Sequence, residues 1–355
     1  MSASQPKDFL IVGQGIAGTV IASLLEKSGS GFLIIDKLNP NSSSRVAAGL
    51  VNPITGRRIV KTWMADQIIP FAQKYYFDME SMFGISFFQN VDALELTSSV
   101  HEWNEWSRRM DEQGMSHYFH PDSPNESYRD KIKEFVKLVR ITSSGWLDLS
   151  SFLTAFRTKW RNENLLDEEH FDYTKMQIIE EGISYKGEIF KNIIFCEGYL
   201  CSENSYWNWI PMIPAKGEIA IIESKELPEN FILLSGMFFI PLGDHLFRCG
   251  ATYEWNFTDE LPSVIGKEKL LTMINDVIKT EWTLISHTAG IRPTVKDRRP
   301  VIGVHPEHKN IFIFNGMGTK GVMLAPYFAD QFVNHLLKEK TIDQEVDVAR
   351  FYKKA

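Results

Sequence analysis

The chain has 355 residues, which is more than one hydrophobic core usually organises, so about two domains are expected. Its composition, 44% hydrophobic and 23% charged, is that of a globular protein and excludes a disordered, collagen-like or coiled-coil chain. The net charge of −7 provides no basic surface for a phosphate backbone, so we do not expect nucleic acid as a partner.

Cysteine usage and the N-terminal apolar stretch indicate the compartment. The three cysteines, Cys196, Cys201 and Cys249, are too few for a disulfide framework and lack the spacing of a zinc site. The apolar stretch 9–25 contains three glycines and runs into charged residues, which argues against a signal peptide or a membrane helix. We therefore expect a cytoplasmic protein with no structural metal and no membrane span.

The N-terminal segment has the pattern of a β-α-β unit. The apolar run Phe9–Val12 predicts a strand buried on both faces of a parallel sheet. Apolar positions then recur at helical spacing over 16–27, and a glycine follows that ends the helix. The run Phe32–Ile35 repeats the buried-strand pattern and ends in Asp36.

The first turn of this unit is the glycine fingerprint Gly13-Gln-Gly-Ile-Ala-Gly18. Its first glycine permits the sharp bend, the second lets a pyrophosphate approach the backbone, and the third lets helix pack on strand. Asp36 lies 18 residues beyond Gly18, where a carboxylate accepts hydrogen bonds from an adenosine ribose and disfavours the extra phosphate of NADP. The fingerprint fits NAD and FAD equally, and a purely structural glycine-rich turn is the alternative.

The residues after Asp36 favour a flavin. A nicotinamide-binding domain normally proceeds into another helix, whereas here a loop of small and hydroxyl-bearing residues leads through Ser43-Ser44 to Ala48-Gly49-Leu50. Such a loop suits a flat, bulky ring.

With two later blocks, these motifs make the chain resemble the FAD-dependent D-amino-acid oxidase superfamily, most of all its glycine oxidase and sarcosine oxidase branch. One block runs from Ala215-Lys-Gly-Glu218 to Gly250-Ala-Thr-Tyr-Glu254. The other comprises Gly290-Ile-Arg-Pro-Thr-Val-Lys-Asp297, Pro300-Val-Ile-Gly303 and the glycine-rich segment Asn315–Pro326. The resemblance covers nearly the whole chain and is most specific in this last block.

The resemblance implies an α/β fold: a FAD-binding Rossmann-like domain of the glutathione-reductase type with an inserted antiparallel-sheet α+β substrate domain. The FAD-binding domain is expected to be discontinuous, comprising 1–85, 141–211 and 286–355. The substrate domain is expected to comprise 86–140 and 212–285. The sequence permits this division, since 101–113 is amphipathic, 193–196 reads as a buried strand and 219–252 has the pattern of an antiparallel sheet.

The expected cofactor is non-covalently bound FAD, because the cysteine that links the flavin in some members of the family is missing here. The residues expected to bind FAD lie in the fingerprint, at the strand ends and in two flavin-side loops. They are Gly13, Gly15, Ile16, Ala17, Gly18, Asp36, Lys37, Ser43, Ser44, Ala48, Gly49, Leu50, Glu197, Gly198, Gly290, Met317, Gly318, Thr319, Lys320, Gly321 and Val322.

The implied activity is oxidation of the C–N bond of a small amino acid or secondary amine, as an oxidase using O2 or a dehydrogenase using another acceptor. Hydride passes to flavin N5, and the resulting imine is hydrolysed. Arg292 occupies the position of the family's carboxylate-binding arginine, and its planar fork matches a carboxylate. The alternative for Arg292 is a structural ion pair with Asp297 or Glu218.

Other residues are assigned to the substrate end of the site. The turn Gly316–Gly321 opens a helix whose positive end suits the negative charge of a reduced flavin, and Thr319 and Lys320 in it are assigned to the catalytic site. The alternative for this turn is a tight connection before a C-terminal helix. Arg57, beside Arg58, either belongs to a solvated surface pair or faces the substrate cavity. His287 is read as a packed strand histidine with no catalytic role.

Departures from the family pattern leave the substrate open. Glycine oxidases have an arginine where this chain has Thr319 and an aromatic residue where it has Thr288. The Gly-x-Gly-Thr-Lys-Gly form resembles instead the oxidase domain that trims carboxymethylaminomethyl groups on tRNA. The alternatives are therefore a tRNA-modification-type carboxymethylamine oxidase and a flavin-binding subunit of a larger dehydrogenase complex.

Overall fold

The computed structural model describes residues 7–55 and 59–352. These residues form two compact units. Unit 1 comprises 7–47, 149–215 and 291–352, and unit 2 comprises 48–55, 59–148 and 216–290.

Six of the α-helices of the described residues have 11 to 19 residues and two are single turns, and four further short helices are of the 3-10 type. The α-helices are α1 (Ile16–Lys27), α2 (Ser43–Val46), α3 (Ala65–Phe83), α4 (Val100–Met110), α5 (Asn125–Tyr128), α6 (Leu149–Asn162), α7 (Val264–Asn275) and α8 (Gly321–Lys338). The 3-10 turns are Ser116–Tyr118, Tyr173–Lys175, Gly198–Ser202 and Val348–Phe351.

The strands, in chain order, are β1 (Lys7–Val12), β2 (Phe32–Ile35), β3 (Leu50–Val51), β4 (Ile54–Thr55), β5 (Val60–Lys61), β6 (Phe88–Asn90), β7 (Ala93–Thr97), β8 (Phe119–His120), β9 (Lys137–Ile141), β10 (Gly145–Leu147), β11 (Leu166–Asp167), β12 (Met176–Ile179), β13 (Gly182–Tyr185), β14 (Glu188–Phe195), β15 (Ala215–Glu223), β16 (Ile232–Leu234), β17 (Phe238–Gly243), β18 (Leu246–Gly250), β19 (Thr283–Arg292), β20 (Val301–His305) and β21 (His308–Asn315).

Unit 1 is built on a mainly parallel sheet. Strands β11, β2, β1, β14 and β21 lie side by side and run parallel, and antiparallel strands extend both β14 and β21. Val12 pairs with Ile35 on one side and Phe195 on the other, and Phe195 pairs with Ile313. Four parallel strands therefore end at the same edge of the sheet.

The predicted β-α-β unit is confirmed element by element. β2 is fully buried, and β1 is buried from Phe9 onward, because sheet neighbours and helices cover both faces. α1 follows the fingerprint directly and is buried along almost its whole length. Gly29, with φ of +79°, lies just after the end of α1.

Unit 2 is built on a mainly antiparallel sheet, in which β16 and β7 pair in parallel. β15, β18, β17 and β16 form its centre, in the region where the sequence predicts such a sheet, and β7, β9 and β8 continue it. One face packs a core with α7, in which Phe239, Phe247 and Cys249 are fully buried. The predicted amphipathic helix at 101–113 is α4, and it begins at the N-cap Ser99.

The compact units differ from the predicted domain boundaries at several places. Residues 48–55, 59–85, 141–148 and 286–290, assigned above to the FAD-binding segments, belong to unit 2, and 212–215, assigned above to the substrate domain, belong to unit 1. The reason is strand pairing, because β10 joins β3 to β6 in a small antiparallel sheet. α3 belongs to unit 2 together with this sheet, because the ring of Tyr76 stacks on that of Phe88 in β6. The assignment of cofactor and substrate to particular units stays a prediction.

Among residues 7–55 and 59–352, none of the helices has the length and apolar character needed to cross a membrane.

Candidate active site

The predicted FAD ligands of unit 1 follow neighbouring strands at one edge of the parallel sheet. In open α/β sheets the crevice beyond the carboxyl ends of the strands is the usual ligand site. The segments that follow these strands are 13–18 after β1, 36–37 after β2, 197–198 after β14 and 316–322 after β21.

The fingerprint glycines are required by the packing of this edge. Gly13 has φ of +101°, and a Cβ there would lie 2.5 Å from the carbonyl oxygen of Cys196, the residue after β14. A Cβ at Gly18 would overlap the carbonyl oxygen of Gly13, so only glycine lets α1 approach β1 this closely. These contacts lie within the protein, so the packing of this edge by itself accounts for Gly13 and Gly18. The binding of a pyrophosphate by this turn stays a prediction.

The first turn of α1 carries the backbone donors expected to face the pyrophosphate. Gly15 is its N-cap and supplies no side-chain cap. The hydroxyl of Ser44 accepts a hydrogen bond from the N–H of Ile16 at 3.0 Å, and a Cβ on Gly15 would lie 3.0 Å from that same hydroxyl. The predicted Ser44 therefore lies beside the predicted pyrophosphate site, as a small polar group at the helix N-terminus.

The N-termini of two helices meet at this place. A Cβ on Gly321, the first residue of α8, would lie 3.1 Å from Cγ2 of Ile16, the first residue of α1. Gly316 and Gly318 have φ of +74° and +54°, which gives the turn before α8 its shape. Each helix N-terminus carries partial positive charge, so the pair suits a long cofactor with anionic groups such as FAD.

Asp36 is held in place by two donors. Its Oδ1 accepts from the N–H of Gln14 at 2.8 Å, and its Oδ2 accepts from Nη1 of Arg157 at 2.6 Å. Lys37 is exposed beside it. Sequence reasoning missed Arg157, because no local pattern links a helix residue to an acid 121 positions away.

Glu197 follows β14 and belongs to a small polar cluster. Its carboxylate accepts hydrogen bonds from the hydroxyl of Tyr173 and from Nδ2 of Asn204, the latter at 2.8 Å. Burial raises the pKa of Glu197 to about 7. Next to it the carbonyl of Gly198 accepts from Nδ2 of Asn315 at 2.8 Å, which ties the end of β14 to the end of β21.

Arg292 adjoins the turn that opens α8. The N–H of Gly318 donates to the carbonyl of Pro293, the residue after Arg292, at 3.3 Å. Lys320 in the same turn is partly buried, and burial, followed by the cations of Arg299 and Arg298, lowers its pKa to about 8. The structure thus places Arg292 and Lys320 on two segments that are hydrogen-bonded to each other.

The two acids named as alternative partners of Arg292 have other ion-pair partners. Asp297 pairs with Arg350 at 2.8 Å. Glu218, in unit 2, lies 2.6 Å from Nε2 of His287 and 3.8 Å from Nζ of Lys216.

Glu218 is the centre of a buried polar network in unit 2. It is 1% exposed and also accepts from the hydroxyl of Ser263, the N-cap of α7, at 2.8 Å. A Cβ on Gly266 would overlap the Glu218 carboxylate, so a glycine is needed in the first turn of α7. His287 packs against this carboxylate, in agreement with its reading as a packed strand histidine.

The loop that begins at Ala48, predicted to lie at the flavin, belongs to unit 2. Gly49 has φ of +73°, and a Cβ there would overlap the carbonyl oxygen of Leu147. Arg248 on β18 donates to the carbonyl of Ala48 at 3.5 Å, and burial lowers its pKa while Asp148 opposes that shift. Sequence reasoning missed Arg248, although strand alternation with the core residue Cys249 would have placed it on the opposite face of the sheet.

The predicted site residues are therefore divided between the units. Arg57 lies outside the described residues. Ala48, Gly49, Leu50 and Gly290 belong to unit 2. The others belong to unit 1: Gly13, Gly15, Ile16, Ala17, Gly18, Asp36, Lys37, Ser43, Ser44, Glu197, Gly198, Arg292, Met317, Gly318, Thr319, Lys320, Gly321 and Val322. Within residues 7–55 and 59–352, no cluster of histidine, cysteine and acidic side chains has the arrangement of a metal site.

Comparison with known proteins gives a match over most of the chain. The family model described as FAD dependent oxidoreductase matches residues 8–334. A glycine oxidase of Geobacillus kaustophilus is 27% identical over 123 residues, and this match spans only about a third of either chain (33% and 32%).

Solved structures resemble the whole chain. The crystal structure of glycine oxidase from Geobacillus kaustophilus has a TM-score of 0.78 at 18% identity and covers 98% of both chains. Iminodiacetate oxidase from Chelativorans sp. BNC1 has a TM-score of 0.76 at 17% identity and covers 95% of this chain and 98% of its own. At these identities the likeness establishes a shared α/β fold, and it confirms the predicted fold class.

Proposed function

This chain belongs to the FAD dependent oxidoreductase family, and on that premise we propose that it oxidises the C–N bond of a small amino acid or secondary amine that carries a carboxylate. Membership confirms the predicted family, the enzyme class and FAD as cofactor. The substrate, the electron acceptor and the roles of individual residues belong to the proposal.

The observation that carries the proposal is the position of Arg292. It ends β19, and the next residue, Pro293, is hydrogen-bonded to the glycine turn at the N-terminus of α8. An arginine whose neighbour in the chain is hydrogen-bonded to a turn rich in backbone donors suits a substrate that is itself a carboxylate. The glycine oxidase and iminodiacetate oxidase structures, whose names denote carboxylated amine substrates, share this fold.

Each group then has a task that its chemistry fits. Bound FAD supplies the acceptor for the two electrons and the proton that leave the substrate α-carbon as hydride. Arg292 binds the carboxylate and so fixes the position of the α-carbon. The N–H groups at the start of α8, with the ammonium of Lys320, suit the negative charge of a reduced flavin. Water hydrolyses the imine that leaves, which yields a carbonyl compound and an amine.

An anaerobic reduction screen tests the proposal. The flavin-loaded protein is mixed with glycine, sarcosine, iminodiacetate, proline and other amino acids, and loss of the yellow flavin absorbance is followed without O2. We expect at least one carboxylated amine to bleach the flavin, while its decarboxylated analogue reacts far more slowly. If no amine bleaches a fully loaded protein, the chain is a flavin-binding subunit without amine chemistry of its own.

The variant Arg292→Lys tests the assigned site. Lysine keeps the charge but loses the planar fork, so kcat/KM should fall by about 10²- to 10³-fold while FAD stays bound. Arg161→Lys, on the exposed part of α6, is the control and should leave kcat/KM unchanged. Loss of flavin or of folding in Arg292→Lys would instead assign Arg292 to a structural ion pair.

A further inference from the structure

We propose that Arg157 is a positioning residue for the cofactor: it holds the Asp36 carboxylate and the Gln14 side chain so that Asp36 keeps two acceptor sites for the hydroxyls of the adenosine ribose. The inference rests on the FAD site of the proposed function and makes no use of the amine substrate.

Arg157 occupies a core position of its helix. It lies four residues after Leu153 and three before Trp160, both fully buried, so it shares their face of α6. This face packs on β2, since the rings of Trp160 and Phe32 meet edge to face at 5.8 Å. Arg157 itself is only 6% exposed. A charged side chain at such a position needs partners that compensate its burial.

The guanidinium uses nearly all of its donors within the protein. Nη1 donates to Oδ2 of Asp36 at 2.6 Å and to Oε1 of Gln14 at 2.9 Å. Nη2 donates to the carbonyl of Asp36 at 3.0 Å, and Nε to Oε1 of Glu168 at 2.8 Å. Arginine has five N–H donors, and these four bonds use four of them. Arg157 is therefore committed to protein acceptors and acts on a ligand through Asp36.

The Asp36 carboxylate is left with capacity for a ligand. A carboxylate offers about four acceptor sites. One site on Oδ1 is taken by the N–H of Gln14 and one on Oδ2 by Arg157. About two sites remain, one on each oxygen, which is the number that a ribose with two neighbouring hydroxyls requires.

Gln14 connects Arg157 and Asp36 to the glycine fingerprint. Its side chain is 3% exposed, and its Nε2 donates to the carbonyl of Leu153 at 3.0 Å and to the hydroxyl of Thr19 at 3.2 Å. Its Oε1 accepts from Arg157, so every polar atom of the amide has a partner. The same Arg157 thus fixes the loop expected at the pyrophosphate and the acid expected at the ribose.

The test measures cofactor affinity of the apoprotein, with FAD and with ADP-ribose, which lacks the flavin ring. Arg157→Met keeps the apolar stem and removes the donors, and we expect both dissociation constants to rise by about tenfold or more. Arg161→Met is the matched control, since Arg161 lies one turn away on α6 and only approaches Glu168 at 4.0 Å. Its dissociation constants should stay within about twofold of wild type.

A double-mutant cycle separates positioning from general destabilisation. If Arg157 acts through Asp36, the change Arg157→Met should weaken FAD binding by less than about threefold once Asp36→Asn is present. Fully additive losses, or an unchanged FAD affinity in folded Arg157→Met, would overturn the inference. Should Arg157→Met fail to fold, Arg157→Lys replaces it, with an affinity expected between wild type and Asp36→Asn; an affinity equal to wild type overturns the inference. Failure of the amine screen leaves these titrations unaffected.

Discussion

Replacing Asp36 by alanine should have two separable effects, because the carboxylate is assigned to a ligand and is also the partner of a buried arginine. On the ligand side, the two acceptor sites left on Asp36 would be lost to the ribose. Hydrogen bonds to a charged group contribute about 1.5–3 kcal/mol, and about 1.4 kcal/mol is one decade in affinity. We expect the FAD dissociation constant of Asp36→Ala to rise by about tenfold to a hundredfold.

On the protein side, the substitution leaves Arg157 without its closest acceptor. The side chains of Asp36 and Arg157 are 20% and 8% exposed, so solvent compensates little of the loss. Breaking a buried pair costs about 3–5 kcal/mol, and the remaining bonds of Arg157 to Gln14 and Glu168 place the expected cost near the lower end of that range. The apoprotein should therefore unfold at a lower urea concentration than wild type.

Two measurements separate these effects. Calorimetric titration of the apoprotein gives the FAD affinity. Urea unfolding without FAD gives the free energy of unfolding of the apoprotein, and FAD is left out because its binding would raise the apparent stability. Asp167→Ala is the control, because Asp167 ends the neighbouring strand β11 and its side chain is exposed. An unchanged FAD affinity in Asp36→Ala would show that the acid is not on the ribose. An equal loss in Asp167→Ala would indicate a general disturbance of this sheet edge.

Three further predictions concern the cofactor linkage and two titrating groups. Acid precipitation should leave the yellow colour in the supernatant, because the FAD is expected to be non-covalent; colour in the pellet would contradict this. The ammonium of Lys320, whose pKa is lowered to about 8, should lose its proton between pH 7 and 9. A carboxylate inhibitor should then bind up to about tenfold more weakly at pH 9, and Lys320→Met should remove this dependence. Glu197 has a pKa raised from near 4.5 to about 7, so the folded state holds that proton more tightly than the unfolded state. The unfolding free energy of wild type should fall as the pH rises from 4.5 to 7 relative to Glu197→Gln, as urea titrations at several pH values will show.

Local sequence was sufficient to predict the N-terminal β-α-β unit. The strands β1 and β2 were predictable because burial on two faces gives continuous apolar runs. The start of α1 was predictable from the fingerprint glycines, two of which lie where the packing leaves no room for a Cβ. The position of Asp36 was predictable for the same reason, since it directly follows β2. Its contact with the ribose stays a prediction. The glycine-rich turn before α8 was predictable from its glycines, and its placement at the flavin stays a prediction.

The tertiary structure alone decided which distant side chains meet. No pattern in the sequence around Arg157 predicts Asp36 as its partner, because the pairing depends on how the face of α6 packs on β2. Arg248 likewise reaches the loop at Ala48 only because β18 presents it on the face opposite the core. The unit boundaries also depend on pairing, because β3 and β10 join β6 although the chain between them is long. Local pattern thus determines elements and turns, whereas the partners of buried charges depend on contacts between residues far apart in the chain, for which a single sequence holds no periodic signal.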